Sequence, residues 1–273
     1  MAGVPLTWLY VPADRADRVE KALASAADVV VLDLEDAVAP AAKDAARATA
    51  RAVASDAGRP LQVRVNGFGT PWHDDDLALV AGLPREVGLR LPKAQDPAMV
   101  RSLARRLRGR PLHLLVESAR GVEDAGDLAA ADPAVASIGL GEADLRAELA
   151  VTDDSGLLWA RSRLVVAAAA AGLPSPAMSV YDDVRDLAGF AESCRVGRSL
   201  GFLGRATIHP AQLPVVVEAF TPGAKEVARA REVVAAAEAA AHAGIGALAL
   251  PDGRFVDEAV VLRARRTLAL ADN

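Results

Sequence analysis

The sequence has a single cysteine, Cys194, among its 273 residues. One cysteine cannot form an internal disulfide, and it excludes a zinc site built from several cysteines. This usage is typical of the reducing cytoplasm, where we expect the protein to work. We expect Cys194, like Met178, to lie in the core.

Long apolar runs are also missing. No window of about 18 residues is apolar and free of charge, so we expect no transmembrane helix and no membrane partner. The stretch MAGVPLTWLYVPADR lacks a basic segment followed by a long apolar one, so we expect no secretory signal. The net charge of −5, the pI near 5.5 and the scattered basic residues argue against nucleic acid as the main partner.

Apolar runs of strand length alternate with helical patterns along most of the chain, and 52% of the residues are hydrophobic. Strands are predicted at residues 7–12, 29–35, 61–66, 88–93, 112–118, 136–141, 176–180 and 205–210. This alternation predicts parallel pairing with crossover helices, and eight such units predict an α/β fold, a closed (β/α)8 TIM barrel. A doubly wound sheet is the competing fold, but no G-x-G-x-x-G follows the first strand.

The tail of the chain is longer than a last barrel helix requires. Residues 224–244 show one Ala-rich helical pattern, followed by a turn-containing segment and a final helix. No linker rich in Pro, Ser or Gly precedes the tail. We therefore predict a barrel at residues 1–222 with a C-terminal helical arm of the same domain at 223–273.

Charged side chains stand at the ends of the predicted strands. The stretch VVVLDLEDAV, residues 29–38, runs from an apolar strand into Asp33, Glu35 and Asp36. Carboxylates are costly in a buried strand unless they are paired or bind metal. Because the carboxyl ends of barrel strands meet on one face, the sequence predicts an active site there. The other polar residues at these ends are Arg64, Asn66, Lys93, Glu117, Asp144 and His209.

These residue types favour one kind of chemistry. Mg²⁺ prefers oxygen ligands and keeps several waters, and Glu117 and Asp144 follow adjacent predicted strands. Such an ion polarises a carbonyl group, and Arg64 has the donors to hold a carboxylate in two places. Together they suit an α-keto or α-hydroxy acid, with enolate chemistry as the reaction class.

Several stretches of the chain, across roughly residues 7–222, carry a family resemblance. They are LYVPADRADRVEKA, ADVVVLDLEDAVAPAAKDAAR, VRVN, LPKA, VESARGV, GLGEADL, WARSRLVVAAAAAGLP and GFLGRATIHPAQL. In these motifs the chain resembles the HpcH/HpaI aldolase–citrate lyase superfamily, specifically its citrate lyase β-subunit-like CoA-ester lyases. It departs from many members at Ala143, where they carry Glu; here Glu142 stands one position earlier.

The resemblance implies a Mg²⁺ ion held by Glu117 and Asp144, with Arg64 and Glu117 as substrate contacts and catalytic residues. It implies cleavage of a 3-hydroxyacyl thioester, usually of coenzyme A, to a keto acid and a smaller acyl thioester. Many members are homotrimers in which a C-terminal segment reaches a neighbouring active site. Asp257, in GRFVDEAVV, matches the catalytic acid of that segment.

Four other charged residues are assigned to the substrate. We expect Glu35 and Asp36 to contact it in the site, although each is also suited to capping its loop. We expect Arg15 and Lys93 to contact the phosphates of CoA, with solvated surface charge as the alternative. His209 is expected to fix a loop rather than to act as a base.

Structural roles and other activities stay open at this point. Asp144 is suited to capping a helix, and Arg64 to a structural ion pair with Glu35 or Asp36. A thioesterase would use the same residues, an aldolase would act on free keto acids, and a carrier-dependent citrate lyase β subunit would need partner proteins. Malyl, citramalyl and 3-hydroxy-3-methylglutaryl units all fit the predicted chemistry.

Overall fold

The structure, a computed structural model, describes residues 4–55, 58–242, 248–249 and 253–271. The chain divides into two compact units. One is Pro5–Val217, and the other contains Val4 and the described residues from Glu218 onward. Within the described ranges no helix is both long and apolar enough to cross a bilayer.

A curled parallel sheet of seven strands forms the centre of the larger unit. Its strands are β1 (Thr7–Pro12), β2 (Val29–Asp33), β3 (Leu61–Arg64), β4 (Gly88–Leu91), β5 (Leu112–Val116), β6 (Val135–Leu140) and β7 (Arg205–Thr207). Their order across the sheet is β6-β5-β4-β3-β2-β1-β7. Every residue of β2 and β4 is buried, as expected for parallel strands covered on both faces.

Helices connect and follow these strands, which confirms the predicted α/β class. They are α1 (Ala16–Leu23), α2 (Lys43–Ala54), α3 (His73–Ala81), α4 (Pro97–Arg106), α5 (Ala119–Glu123), α6 (Ala125–Ala129), α7 (Glu142–Leu149), α8 (Leu158–Ala170), α9 (Leu187–Ser199), α10 (Leu213–Phe220), α11 (Ala224–His242) and α12 (Glu258–Ala271). Short 3-10 turns occupy Pro40–Ala42, Asp154–Leu157 and Pro210–Gln212. Apolar side chains from strands and helices of the larger unit form a core, in which Val63 and Leu89 are fully buried.

The predicted strand at residues 176–180 is not a strand of this sheet. The segment makes one parallel bridge, between Met178 and Arg205, and Met178 O accepts from Ala206 N at 2.9 Å. In the described part of the chain no backbone hydrogen bond joins the segment to β6. Pro176 has no amide hydrogen and cannot donate to a neighbouring strand. The prediction of eight paired strands is therefore corrected to seven with a bridged segment.

Most strands end earlier than the sequence predicts. The strands predicted to end at residues 35, 66, 93 and 118 end at Asp33, Arg64, Leu91 and Val116. The polar residues Glu35, Asn66, Lys93 and Glu117 therefore lie just beyond the carboxyl ends of their strands. Arg64 is the exception, since it is the last residue of β3.

The core predictions for two sulfur-containing side chains are confirmed. Cys194 and Met178 are both buried. Gly197 is required beside Met178, because a Cβ there would lie 1.9 Å from the methionine sulfur. His209 fixes a loop as predicted: its Nδ1 accepts from Ala211 N at 3.2 Å and caps the 3-10 turn.

The described residues of the smaller unit include helices α11 and α12 and two short paired strands. Helices α11 and α12 pack together, and Leu248–Ala249 (β8) pairs antiparallel with Phe255–Val256 (β9). A small core unites Ala230, Val233, Val256 and Ala264. The predicted helix at 224–244 is confirmed over 224–242, and residues 243 and 244 lie outside the described residues.

Candidate active site

A buried arginine–carboxylate pair joins β2 and β3 at the edge of the site. Asp33 and Arg64 are partners in the parallel register. Arg64 Nε donates to Asp33 Oδ1 at 2.7 Å, and Arg64 Nη2 donates to Asp33 Oδ2 at 2.6 Å. Two parallel charge-assisted hydrogen bonds fix the plane of the guanidinium. The ring of Tyr10 lies under it, 5.3 Å from Arg64 Cζ.

Glu35 adds a second carboxylate to this arginine. Its Oε2 lies 2.8 Å from Arg64 Nη1 and its Oε1 lies 3.4 Å from Lys93 Nζ. Only 4% of Glu35 is exposed, yet neither of its oxygens has a well-aligned hydrogen bond. Burial raises the pKa of Glu35. The positive charge of Arg64 lowers this pKa in part, and the negative charge of Asp36 raises it further. The structure thus holds a buried carboxylate with spare acceptor capacity, beside the exposed Asp36.

Lys93, for which a contact with the CoA phosphates is predicted, lies among three acids. Its backbone N donates to Glu117 Oε1 at 2.7 Å, and its Nζ lies 4.0 Å from Asp144 Oδ2 as well as close to Glu35. Its φ of 53° is left-handed, a strain of about 1–3 kcal/mol for a residue other than glycine. That strained backbone directs the amide of Lys93 at Glu117.

Glu117 and Asp144 come from neighbouring strand ends, as predicted. Glu117 follows β5 and is buried, while Asp144 is the third residue of α7, directly after β6. Burial, together with the negative charges of Glu35 and Asp144, raises the pKa of Glu117 to about 8. A group of like charges that raises the pKa of its buried member is the electrostatic setting that a divalent cation stabilises.

The donor set fits a hard cation that keeps much of its water. The described residues contain no group of three or more His, Cys, Asp or Glu side chains arranged around one point. Two carboxylates, from Glu117 and Asp144, suit Mg²⁺, which usually takes one or two protein carboxylates and completes its shell with water and substrate. Glu35, with its spare acceptor atoms, lies beside them.

Gly141 makes room for Glu117. A Cβ on Gly141 would lie 2.3 Å from Glu117 Oε2 and 2.5 Å from Glu117 Cβ. Glycine is therefore required where β6 leads into α7, and the two carboxylates of the candidate metal site depend on the same close approach.

Lys43, which the sequence patterns did not single out, contacts the loops that carry Glu35 and Asn66. Its Nζ donates to Leu34 O at 2.6 Å, Glu35 O at 2.7 Å and Asn66 Oδ1 at 2.7 Å. One buried ammonium therefore ties the loop after β2 to the loop after β3. The available signal was a lysine in the first turn of a helix, where the helix dipole disfavours a cation.

Two further predicted residues contact near neighbours in the chain. Arg15 is exposed, and its Nε lies 3.4 Å from Asp17 Oδ1. Asp257 belongs to the smaller unit and precedes α12, where its Oδ1 accepts from Val260 N at 2.9 Å. That bond is the usual contact of a helix N-cap.

A parallel α/β sheet with arginine and carboxylates at the carboxyl ends of its strands has the usual arrangement of the active site of an α/β enzyme. The sequence matches the HpcH/HpaI aldolase/citrate lyase family over residues 6–210, so the chain belongs to that family.

Similar proteins agree with this assignment. A (3S)-malyl-CoA thioesterase of Cereibacter sphaeroides is 37% identical over 270 residues, which are 97% of this chain and 93% of that protein. A citrate lyase subunit beta-like protein of Mycobacterium tuberculosis is 39% identical, over 97% of this chain and 94% of that protein. A crystal structure of CitE from M. tuberculosis in complex with magnesium, acetoacetate and coenzyme A has a TM-score of 0.86 and 38% identity, covering 100% of this chain and 99% of that chain.

We predict that Gly141→Ala destabilises the protein by about 1–3 kcal/mol, because the added methyl group has to displace Glu117. Urea unfolding measures the change. Gly126→Ala is the matched control, since a Cβ there meets no atom within 4 Å. Equal stability of the two variants would contradict the close approach of Gly141 and Glu117.

We also predict a pH-dependent gain of stability in Glu117→Gln. The pKa of Glu117 is raised from 4.5 to about 8, so the folded protein holds this proton more tightly than the unfolded chain. Its contribution to stability is complete below about pH 4.5 and is lost as the pH rises through about 8. In metal-free buffer the advantage of the variant should therefore grow between pH 5 and 8, in measurements at about four pH values. Glu20→Gln, on the exposed face of α1, should show no such trend.

Proposed function

We propose that this protein is a Mg²⁺-dependent carbon–carbon lyase that cleaves a 3-hydroxyacyl-CoA to a keto acid and a smaller acyl-CoA. The observation that carries the proposal is the convergence of Glu117, Asp144 and the carboxylate-anchored Arg64 at one end of the sheet. The similar CitE structures support it, because they were solved in complex with magnesium and with acetoacetate, oxaloacetate or pyruvate.

In this proposal Glu117 and Asp144 hold the metal. When bound, Mg²⁺ supplies Lewis-acid polarisation of the hydroxy-acid or keto-acid oxygens. The burial of Glu117 suits it to this role, because the free-energy cost of ionising a buried carboxyl group is offset when a cation binds to it. Lys93 stabilises negative charge on the same face through its ammonium group.

Arg64 orients the carboxylate of the substrate. A guanidinium has five N–H donors, and two of those in Arg64 donate to Asp33. The other three are left for a substrate or for Glu35, whose Oε2 lies 2.8 Å from Arg64 Nη1. Glu35 and Asp36 then line the polar end of the substrate pocket. Arg15 and Lys93 are proposed to contact the CoA phosphates.

Cleavage of the substrate requires that a base removes the proton of its 3-hydroxyl group. The carbon–carbon bond then breaks, the keto acid forms against Arg64, and an acyl-CoA enolate leaves and takes up a proton. We assign the final proton exchange to Asp257. A positioned acid–base group of this kind contributes about 10²–10⁴ in rate.

A thioesterase is the second candidate, and a specific observation favours it. The (3S)-malyl-CoA thioesterase of C. sphaeroides is 37% identical to this chain across nearly the whole length of both. Both reactions would use the same two carboxylates and the same arginine, and they differ in whether water attacks the thioester or the carbon–carbon bond breaks.

The test is a panel of malyl-CoA, citramalyl-CoA and 3-hydroxy-3-methylglutaryl-CoA assayed with the purified chain, with and without Mg²⁺. We expect release of a keto acid together with a shorter acyl-CoA, lost on chelation and in Asp144→Asn. Free CoA with the intact hydroxy acid would establish the thioesterase instead. Cleavage of free hydroxy acids without CoA would indicate an aldolase, and activity only with added proteins would indicate a carrier-dependent subunit.

We further propose a homotrimer, working in the cytoplasm, with residues 223–273 as an arm. The segment at 176–180 links the two edge strands of the sheet in part, because it bridges to β7 while Ser179 Oγ accepts from Glu142 N, just beyond β6, at 3.3 Å. In a trimer, Asp257 would complete the site of a neighbouring subunit.

Mixing two inactive variants tests this arrangement. Asp257→Ala and Glu117→Gln subunits, dissociated and reassociated together, should regain part of the activity, because some sites would combine an intact barrel with an intact arm. Light scattering checks the oligomer, and a mass-labelled subunit checks exchange. Proven exchange without recovery would place Asp257 in its own subunit's site or outside catalysis.

A further inference from the structure

Asp144 depends on its backbone for its position. In the part of the chain that the structure describes, its carboxylate contacts Lys93 Nζ at 4.0 Å and accepts no hydrogen bond. The side chain is 45% exposed, so packing does not hold it either. Because Asp144 is the third residue of α7, the first turn of that helix determines where its carboxylate lies.

A buried ion pair holds this first turn. Glu142, the first residue of α7, accepts from Arg161 Nε at 2.9 Å through Oε1 and from Arg161 Nη2 at 2.6 Å through Oε2. Glu142 is 8% exposed and Arg161 is 5% exposed. Arg161 lies in α8 and also reaches Asp154 Oδ2 at 3.1 Å. Two parallel hydrogen bonds of this kind fix both the distance and the relative orientation of the Glu142 and Arg161 side chains, and they thereby link α7 to α8.

Other contacts hold the helix on either side of Asp144. Gly141 N donates to Val116 O at 2.9 Å, and Glu142 N donates to Ser179 Oγ at 3.3 Å. Further along α7, Leu145 is fully buried and Glu148 Oε2 accepts from Ala119 N at 2.9 Å. The bond pair from Arg161 is the buried side-chain contact in the first turn itself, two residues before Asp144. The direction in which Asp144 points therefore depends in part on Glu142 and Arg161.

We propose that Glu142 and Arg161 are positioning residues for the metal site, and that their buried ion pair sets the first turn of α7 so that Asp144 faces Glu117. The inference rests on the proposed metal role of Glu117 and Asp144. An ion pair that merely supported the fold would change stability when broken. A positioning pair also changes metal affinity, and loss of a residue that orients a metal ligand typically costs about 10- to 100-fold in affinity or activity.

Two conservative variants separate these roles. Arg161→Lys keeps the charge and loses the planar fork, and Glu142→Gln keeps the shape and loses the charge. The measurement is calorimetric titration of the full-length protein with Mg²⁺ alone. We expect each variant to raise the Kd for Mg²⁺ by about tenfold or more. The double variant Glu142→Gln/Arg161→Met should raise the Kd for Mg²⁺ no further than the single variant with the larger effect. The reason is that all three variants act on the same ion pair.

A matched control removes the effect of stability. Leu164→Val shortens a fully buried side chain of the same helix, α8, and leaves the pair intact. It should lower the melting temperature without changing the Kd for Mg²⁺. If Glu142→Gln does not fold, Arg161→Lys decides the question against this control.

Asp144→Asn is the reference for the metal site itself. Loss of Mg²⁺ binding in Asp144→Asn, with wild-type Kd values in folded Arg161→Lys and Glu142→Gln, would overturn this inference and leave the metal site standing. Undiminished Mg²⁺ binding in all of these variants would overturn both.

Discussion

The repulsion between carboxylates that share one end of the sheet is the constraint on which this structure depends. Asp33, Glu35, Glu117 and Asp144 converge there, and the first three are buried. Buried charges are tolerated only when partners compensate them. Arg64 compensates Asp33 and part of Glu35, but Glu117 is left with a main-chain amide and a raised pKa. The site is therefore stable enough to fold yet electrostatically incomplete, which is the property that a cation-dependent active site requires.

The supporting contacts come from backbone as much as from side chains. Lys43 donates to two carbonyl oxygens of the loop after β2, and the amide of Lys93 donates to Glu117. Gly141 has no side chain at the point where the Glu117 carboxylate lies against it. Because these contacts involve main-chain atoms, they fix where each loop leaves its strand. The positions of Glu35 and Glu117 are thus largely determined before any ligand binds, so little binding free energy is lost in ordering them.

Much of the fold followed from the sequence, because apolar strand runs and helical periodicity are local signals. The polar residues that end β2, β3 and β5 were identified for the same reason. The weak pairing of residues 176–180 was not predicted. Pro176 and the shortness of the run limit this pairing, and its partner strand, β7, is distant in the sequence. Lys43 and Arg161 were missed because each looks like a surface residue of an Ala-rich helix, and only the tertiary structure shows that it is buried against acceptors. The two-residue shift of the strand ends has a similar origin: the run of apolar and polar letters does not show where the hydrogen-bonded ladder stops.

The choice between lyase and thioesterase turns on water rather than on the charged residues. Arg64, Glu117 and Asp144 are suited to holding the polar end of a hydroxyacyl group in either reaction. A lyase has to keep water away from the thioester while the carbon–carbon bond breaks, whereas a thioesterase has to admit one water beside it. The groups that differ must therefore lie toward the thioester, away from the Arg64–Asp33 pair.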